Sequence, residues 1–216
     1  MEIDIVDNMA LATRALTLGR TDETPSSIGY AELKAAWDEA RRNWTQSAVC
    51  SELTAILGRS TSIPKATRRI VCFGLGSLEG LPDHSSLDVP ADCDGLPRRS
   101  AMTQHAAALT MAGVLGERLG TDPLPILAQD PAYSLVAKQL LIDVGIEVVG
   151  GRGSLAFTHV DEGTVVFSCH PNIPVKQVVA DIARPAVMIW NRVAPAAEEK
   201  TQWVVKLMQG KEVLCS

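Results

Sequence analysis

The stretch Arg68-Arg69-Ile70-Val71-Cys72-Phe73-Gly74-Leu75-Gly76-Ser77-Leu78 decides the fold. A basic pair leads into a short apolar run, Ile70 to Phe73, which stops at a turn containing two glycines. A parallel strand buried on both faces reads as such an unbroken run, because neither side of it meets water. Glycines at its exit let the backbone turn sharply and approach another group closely. In open α/β sheets ligands bind outside the carboxyl ends of the strands. Gly74, Gly76 and Ser77 are therefore candidate ligand contacts.

The same alternation of apolar run and polar exit recurs along the chain. Leu124 to Gln129 reads as a second strand ending at Asp130-Pro131, and Tyr133 to Val144 as a helix stopped by Gly145. Ile146 to Val149 reads as a third strand, leaving through Gly150-Gly151-Arg152-Gly153, with a short strand or hairpin within 154–162. Thr164 to Ser168 is a fourth strand followed by Cys169-His170-Pro171-Asn172, then a helix from Val175 to Ile182. Ala186 to Trp190 is a fifth strand ending in Asn191-Arg192, and 196–209 reads as a closing helix containing Trp203. Between the first strand and an alanine-rich helix over 100–118 lies a polar insert, 79–99, of the length of a lid or a disordered loop.

Strands alternating with helices predict an α/β fold. It is Rossmann-like and doubly wound, with a mostly parallel five-stranded sheet in the order 3-2-1-4-5. An N-terminal helical extension, residues 1–60, packs on the Rossmann-like domain of residues 61–216. Within the extension, 1–18 has helical character and 19–29 is a loop whose Ser26 or Ser27 caps the next helix. Tyr30 to Leu57 is one long or broken helix with Leu33, Trp37, Ala40, Trp44, Ala48 and Leu53 at helical spacing, and Gly58 as its stop.

Composition narrows the function classes. The 216 residues are 46% hydrophobic but only 4% aromatic, so aliphatic packing carries the core. A net charge of −5 opposes general nucleic-acid binding, which needs a basic field. No apolar run is long enough to span a bilayer, and the acidic start, Met1 to Asp7, is unlike a signal peptide. The five scattered cysteines form no CxxC pair, which fits reduced thiols in a cytoplasmic or nuclear protein. The histidines and cysteines lack zinc-ligand spacing, and neither a GxSxG elbow nor a Walker A lysine is present. No cofactor is identified by the sequence.

A parallel sheet gathers the carboxyl ends of its strands on one edge, so distant polar residues converge there. Gly74-x-Gly76 lacks the third glycine of a dinucleotide fingerprint, with Glu79 in its place and Gly80 next, so a classical NAD site is disfavoured. Asp130 stands where such folds place a ribose-binding acid, and an Asp-Pro pair equally starts turns or caps helices. Tyr133 lies just beyond and can offer its hydroxyl. His170 can act as acid, base or donor near neutral pH, or bond a loop carbonyl as a structural residue. The catalytic candidates are His170, Asp130 and Tyr133. The ligand-binding candidates are Gly74, Gly76, Ser77, Gln104, Gln129, Asn172 and Trp190. At most one of Gln104 and His105, adjacent on a helix, faces the site.

Four of these segments together resemble the sensitivity-to-red-light-reduced (SRR) family: Cys72-Phe73-Gly74-Leu75-Gly76-Ser77, Gln104-His105-Ala106-Ala107-Ala108-Leu109, Gln129-Asp130-Pro131-Ala132-Tyr133 and Thr164-Val165-Val166-Phe167-Ser168-Cys169-His170. The resemblance covers roughly residues 65–193, and Ala186-Val187-Met188-Ile189-Trp190 is similar to the fungal members. It implies a Rossmann-like domain in a soluble eukaryotic protein. It also implies a link to light and circadian signalling in plants, or to haem metabolism and the cytoskeleton elsewhere. It supplies no catalytic residues. Many members carry Pro-His-Cys where this chain reads Cys169-His170-Pro171.

Two functions fit these residues. One is a small-molecule-binding protein, with non-redox catalysis of the isomerase, cyclase, lyase or hydrolase type open to it through the strand-end residues. The other is a non-catalytic regulatory or interaction protein of the SRR-like family, acting in signalling, transcription or haem-metabolism regulation. In that case the N-terminal helices, with Trp37 and Trp44, would meet a protein partner.

Overall fold

The computed structural model describes residues 26, 28–79, 96–151, 153–169, 171–191, 203–207 and 211–215. The expected helix at 1–18, most of the polar insert and His170 lie outside the described residues.

Helix α1 spans Tyr30–Thr45 and places Leu33, Trp37 and Trp44 on one buried stripe. Its N-cap is Gly29 with no side-chain cap, so the expected Ser26 cap is not formed; the Ser26 hydroxyl instead bonds the Ile28 carbonyl at 2.7 Å. The next helix, α2 (Ala48–Arg59), is separate because Ser47 starts it. The Ser47 hydroxyl accepts from the Cys50 amide at 3.1 Å, satisfying a donor that has no partner within the helix. Gly58 lies inside α2 rather than ending it.

Strand β1 is Arg69–Phe73, followed by α3 (Leu96–Leu119), β2 (Ile126–Gln129) and α4 (Leu135–Asp143). Helix α4 begins after the expected Tyr133 because Ser134 caps it, accepting from the Ala137 amide at 3.0 Å. Strand β3 is Ile146–Val148, and a 3₁₀ turn over Leu155–His159 replaces the expected short strand or hairpin. Strand β4 (Thr164–Ser168), α5 (Val175–Ile182) and β5 (Val187–Asn191) complete the α/β unit. The order β3-β2-β1-β4-β5 is all parallel, as a Rossmann-like sheet requires.

The C-terminal region departs from expectation. In place of a helix over 196–209, β6 (Trp203–Leu207) and β7 (Lys211–Cys215) add two antiparallel strands beyond β5. Among the described residues the sheet therefore has seven strands. β-Branched Val204, Val205 and Val213 have a high strand propensity.

Residue alternation divides the core in two. Ile70 and Cys72 of β1, Ala128 of β2, Phe167 of β4 and Ile189 of β5 face one side. That side is covered by α3 and α4, and α1 and α2 pack outside them as a further layer. Val71 and Phe73, Leu127, Val166 and Met188 face the other, covered among the described residues by the 3₁₀ turn and α5. There Phe157 stacks on Phe73 with ring centroids 4.4 Å apart. Trp37 and Trp44, offered by the sequence to a partner, are buried within the thick side. Among the described residues no helix is long and apolar enough to cross a membrane.

Candidate functional site

The carboxyl edge of the sheet collects the expected residues, but most of them hold the fold's own loops. Gly74 and Gly76 have φ of +65° and +84°, in the left-handed region that favours glycine. The Gly76 amide donates to Asp130 Oδ2 at 2.8 Å, and the Ala132 amide to Asp130 Oδ1 at 2.9 Å. One carboxylate thus ties the β1 exit to the β2 exit, with both oxygens accepting backbone N–H groups. Gly74 donates to the Gln129 carbonyl, and the Ser77 hydroxyl accepts from the Glu79 amide. The glycine turn is closed on its own protein.

Gln129 works the same way. Its Oε1 accepts from the Ala156 amide at 2.8 Å, while Nε2 donates to the carbonyls of Gly151 and Gly153 at 2.9 and 3.0 Å. It fastens the β3 exit and the 3₁₀ turn to β2. Gln104 donates to Ser100 Oγ within α3 and is buried.

Tyr133 points inward, away from the crevice. Its hydroxyl lies 2.7 Å from His105 Nε2, and His105 Nδ1 lies 2.7 Å from the Ala101 carbonyl. A carbonyl only accepts, so Nδ1 carries the ring proton and Nε2 accepts from the tyrosine hydroxyl. Neither Gln104 nor His105 is exposed to the crevice. Burial lowers the His105 pKa to about 4, against a smaller raising effect of the Ala101 bond, and holds the ring neutral at pH 7. Burial, then the nearby Asp130 charge, pushes the Tyr133 phenol well above its ordinary value. The pair is a satisfied core network.

It has a pH consequence. An unfolded histidine takes up a proton near pH 6.5, whereas folded His105 resists until about pH 4. The unfolded chain binds more protons in between, so stability is full above about pH 6.5 and falls as the pH drops toward 4. The loss from this one residue is about 3 kcal/mol. Denaturant melts of wild type and His105→Gln at pH 7 and pH 4.5 isolate it. The variant is less stable at pH 7 and has the flatter acid slope. Equal slopes would remove His105 as the cause.

The open part of the edge lies at β4, β5 and the start of α5. A cavity of about 240 Å³ is lined there by Val166, Ser168, Pro171, Lys176, Met188 and Trp190, among others. Ser168 is 5% exposed, and its Oγ has no hydrogen-bond partner among the described residues. Buried hydroxyls are normally paired, so this one is unusual, and its oxygen lies beneath the cavity surface rather than on it. The Lys176 ammonium lies 4.9 Å from the centre of the Trp190 ring. Helix α5 begins at this cavity with no side-chain cap. Of the expected residues, Trp190 lines the cavity, Asn172 is exposed on the adjoining loop, and His170 lies outside the described residues. Ser168 and Lys176 are additions from the structure. The only sequence signal for Ser168 is a lone hydroxyl ending an apolar strand.

A family model, the SRR1 domain, matches residues 38–212. The chain belongs to the SRR1 domain family. The match runs from Asp38 in α1 to Glu212 in β7, so α2 and the antiparallel β6 fall within the SRR1 domain. No curated protein and no solved structure matches the chain. Within this SRR1 domain, Cys50, Cys72 and Cys169 are free and buried. Burial pushes the Cys72 and Cys169 thiols up, which keeps them protonated and poor nucleophiles. Among the described residues no group of three His, Cys, Asp or Glu side chains could hold a metal ion.

Proposed function

We propose that this SRR1 domain is a small-molecule-binding module whose ligand enters the cavity at the carboxyl ends of β4 and β5. The observation that carries the reading is the cavity itself, at the carboxyl ends of β4 and β5, lined by the Trp190 ring with the Lys176 ammonium 4.9 Å from its centre. The location agrees with the general rule for open α/β sheets. At about 240 Å³ the cavity suits a small metabolite and is too small to enclose a dinucleotide.

Binding is favoured over catalysis because Asp130 and Tyr133 are engaged in the protein's own hydrogen bonds. A non-redox reaction would draw its acid–base group from His170, two residues beyond Ser168. The buried free thiols favour a reducing compartment, cytoplasm or nucleus.

The test is a thermal-shift screen of the purified chain against nucleotides, S-adenosylmethionine, nicotinamide cofactors, haem precursors and small carboxylates. A ligand at 100 times its Kd stabilises the folded state by about 2.7 kcal/mol. The expected result is a hit that Trp190→Ala abolishes. Hits that survive Trp190→Ala would move the site elsewhere.

A further inference from the structure

We infer that the chain from Ser26 to Tyr30 is a strap held on α4 by two carboxylates, and that phosphorylation of Tyr30 releases it. The strap begins at Ser26, whose Oγ lies 2.7 Å from the Ile28 carbonyl and 3.1 Å from Glu79 Oε1. The Ser134 hydroxyl, which caps α4, donates to the same Glu79 oxygen. The strap ends at Tyr30, whose hydroxyl donates to Asp143 Oδ2 at 2.5 Å. Asp143 is the last residue of α4. The strap is thus fastened at the first turn of the helix and at its last. The nine residues of α4 span about 13 Å, a distance that four residue steps can just cover. Ile28, packed against the core, seats the strap between its two ends.

Each end is a hydroxyl bonded to a carboxylate, so a negative charge added at an end turns attraction into repulsion. Tyr30 is the end open to modification without competition. The chain has two tyrosines. Tyr133 is 2% exposed with its hydroxyl on His105, whereas Tyr30 is 37% exposed. In the folded chain the Tyr30 phenol is the tyrosine oxygen that a protein kinase can reach. The step moves the γ-phosphoryl group of a nucleoside triphosphate onto that oxygen. The new O–P bond forms, the bond to the leaving nucleoside diphosphate breaks, and the phenol proton goes to solvent. The product carries a charge of about −1.5 to −2 at pH 7, mostly without a proton to donate. It meets an ionised Asp143, whose carboxyl is held below the usual range by the bonds from Tyr30 and Gln139. Asp38 on α1 is a second negative group facing the phenol, and Lys34 is already paired with it at 2.6 Å. The other end of the strap reaches the carboxyl edge of the sheet. The Glu79 amide donates to the Ser77 hydroxyl at 3.2 Å, just past the glycine turn, so the Ser26 contact links the strap to that turn.

The experiment treats the full chain with ATP, magnesium and a tyrosine kinase of broad specificity, and counts phosphate by intact mass. Amide hydrogen exchange is then followed over 28–34 and at Glu79. Wild type is expected to take one phosphate and Tyr30→Phe none. Exchange over 28–34 should be about tenfold faster in the phosphorylated chain, the sign of local opening. Tyr30→Phe loses the bond without gaining charge, so its exchange should rise less. Asp143→Asn removes the charge that the phosphate meets, so phosphorylation should speed its exchange far less than in wild type. Ser26→Ala removes the contact to Glu79, so the Glu79 amide should respond to phosphorylation in wild type and not in this variant. Ser26, Tyr30 and Asp143 are all exposed, and circular dichroism checks that each variant keeps the fold. No phosphate on folded wild type, or equal incorporation in Tyr30→Phe, overturns the site. Unchanged exchange over 28–34 after phosphorylation overturns the release. Equal acceleration in Asp143→Asn overturns repulsion as its cause, and an equal Glu79 response in Ser26→Ala overturns the link to the glycine turn.

Discussion

Replacing Trp37 with alanine is expected to cost about 3–5 kcal/mol of folding stability, the range for removing a large aromatic from a packed interior. Trp37 is 0% exposed and sits on the stripe of α1 that also carries Leu33 and Trp44. That stripe packs against α3 and α4, which cover the sheet. The loss is a large share of the 5–15 kcal/mol that holds an ordinary domain together. The indole also carries a cost, because its Nε1–H is buried without a partner among the described residues. Trp37→Phe keeps most of the ring volume and deletes that donor, so it should lie within about 1.5 kcal/mol of wild type. Urea melts followed by far-ultraviolet circular dichroism measure both variants. A loss below about 1 kcal/mol in Trp37→Ala would show that α1 is appended to the fold rather than part of it. The functional consequence is direct. With Trp37 and Trp44 buried, neither tryptophan is available to a partner in the folded chain.

The legibility of each element in the sequence depends on whether its deciding interactions are local. Strand β4 and helix α5 have the bounds that Thr164–Ser168 and Val175–Ile182 predict. An apolar run of β-branched residues and a compact amphipathic stretch each determine their own structure. The break between α1 and α2 depends on one hydroxyl. Ser47 caps the second helix, and helical periodicity running through Ala48 hides the interruption. Strand β6 departs from the expected helix for the opposite reason. Trp203-Val204-Val205-Lys206-Leu207 becomes a strand by pairing with the free edge of β5, a non-local partner. At the candidate site the sequence locates the edge but not the direction of each side chain. Asp130 sits where a ribose-binding acid would, yet the Gly76 amide, 54 positions away, occupies it. Tyr133 likewise finds His105 of α3, 28 positions away. Ser168 leaves no mark because its distinction is the lack of a partner among the described residues, and a sequence does not display absences.

Gly74→Ala is expected to destabilise the domain by about 2–5 kcal/mol and to weaken binding at the β4–β5 cavity, even though Gly74 does not line it. Two costs add. Holding a residue with a Cβ at φ +65° costs about 1–2 kcal/mol. The added methyl would lie 2.8 Å from Pro171 Cα and 3.0 Å from the Cys169 carbonyl oxygen, both backbone atoms that cannot simply rotate away. Overpacking of this kind costs about 1–3 kcal/mol. Gly120→Ala separates the two, since Gly120 has a similar φ of +72° but nothing within 4 Å of the position its Cβ would take. That control should lose only the conformational part, about 1–2 kcal/mol. The excess in Gly74→Ala measures how tightly the β1 turn is pressed against the loop leaving β4. Because Pro171 of that loop is a wall of the cavity, relief of the clash must move the wall. The experiment compares chemical denaturation of both variants and their thermal response to any ligand found for wild type. Equal stability losses at the two glycines would mean that the β4 loop yields freely to the turn. A larger loss at Gly74 together with weaker ligand binding would assign the glycine turn a role that its sequence does not announce. It would act as a spacer shaping a neighbouring cavity, with its own amides closed onto Asp130 and Gln129 rather than turned toward the ligand.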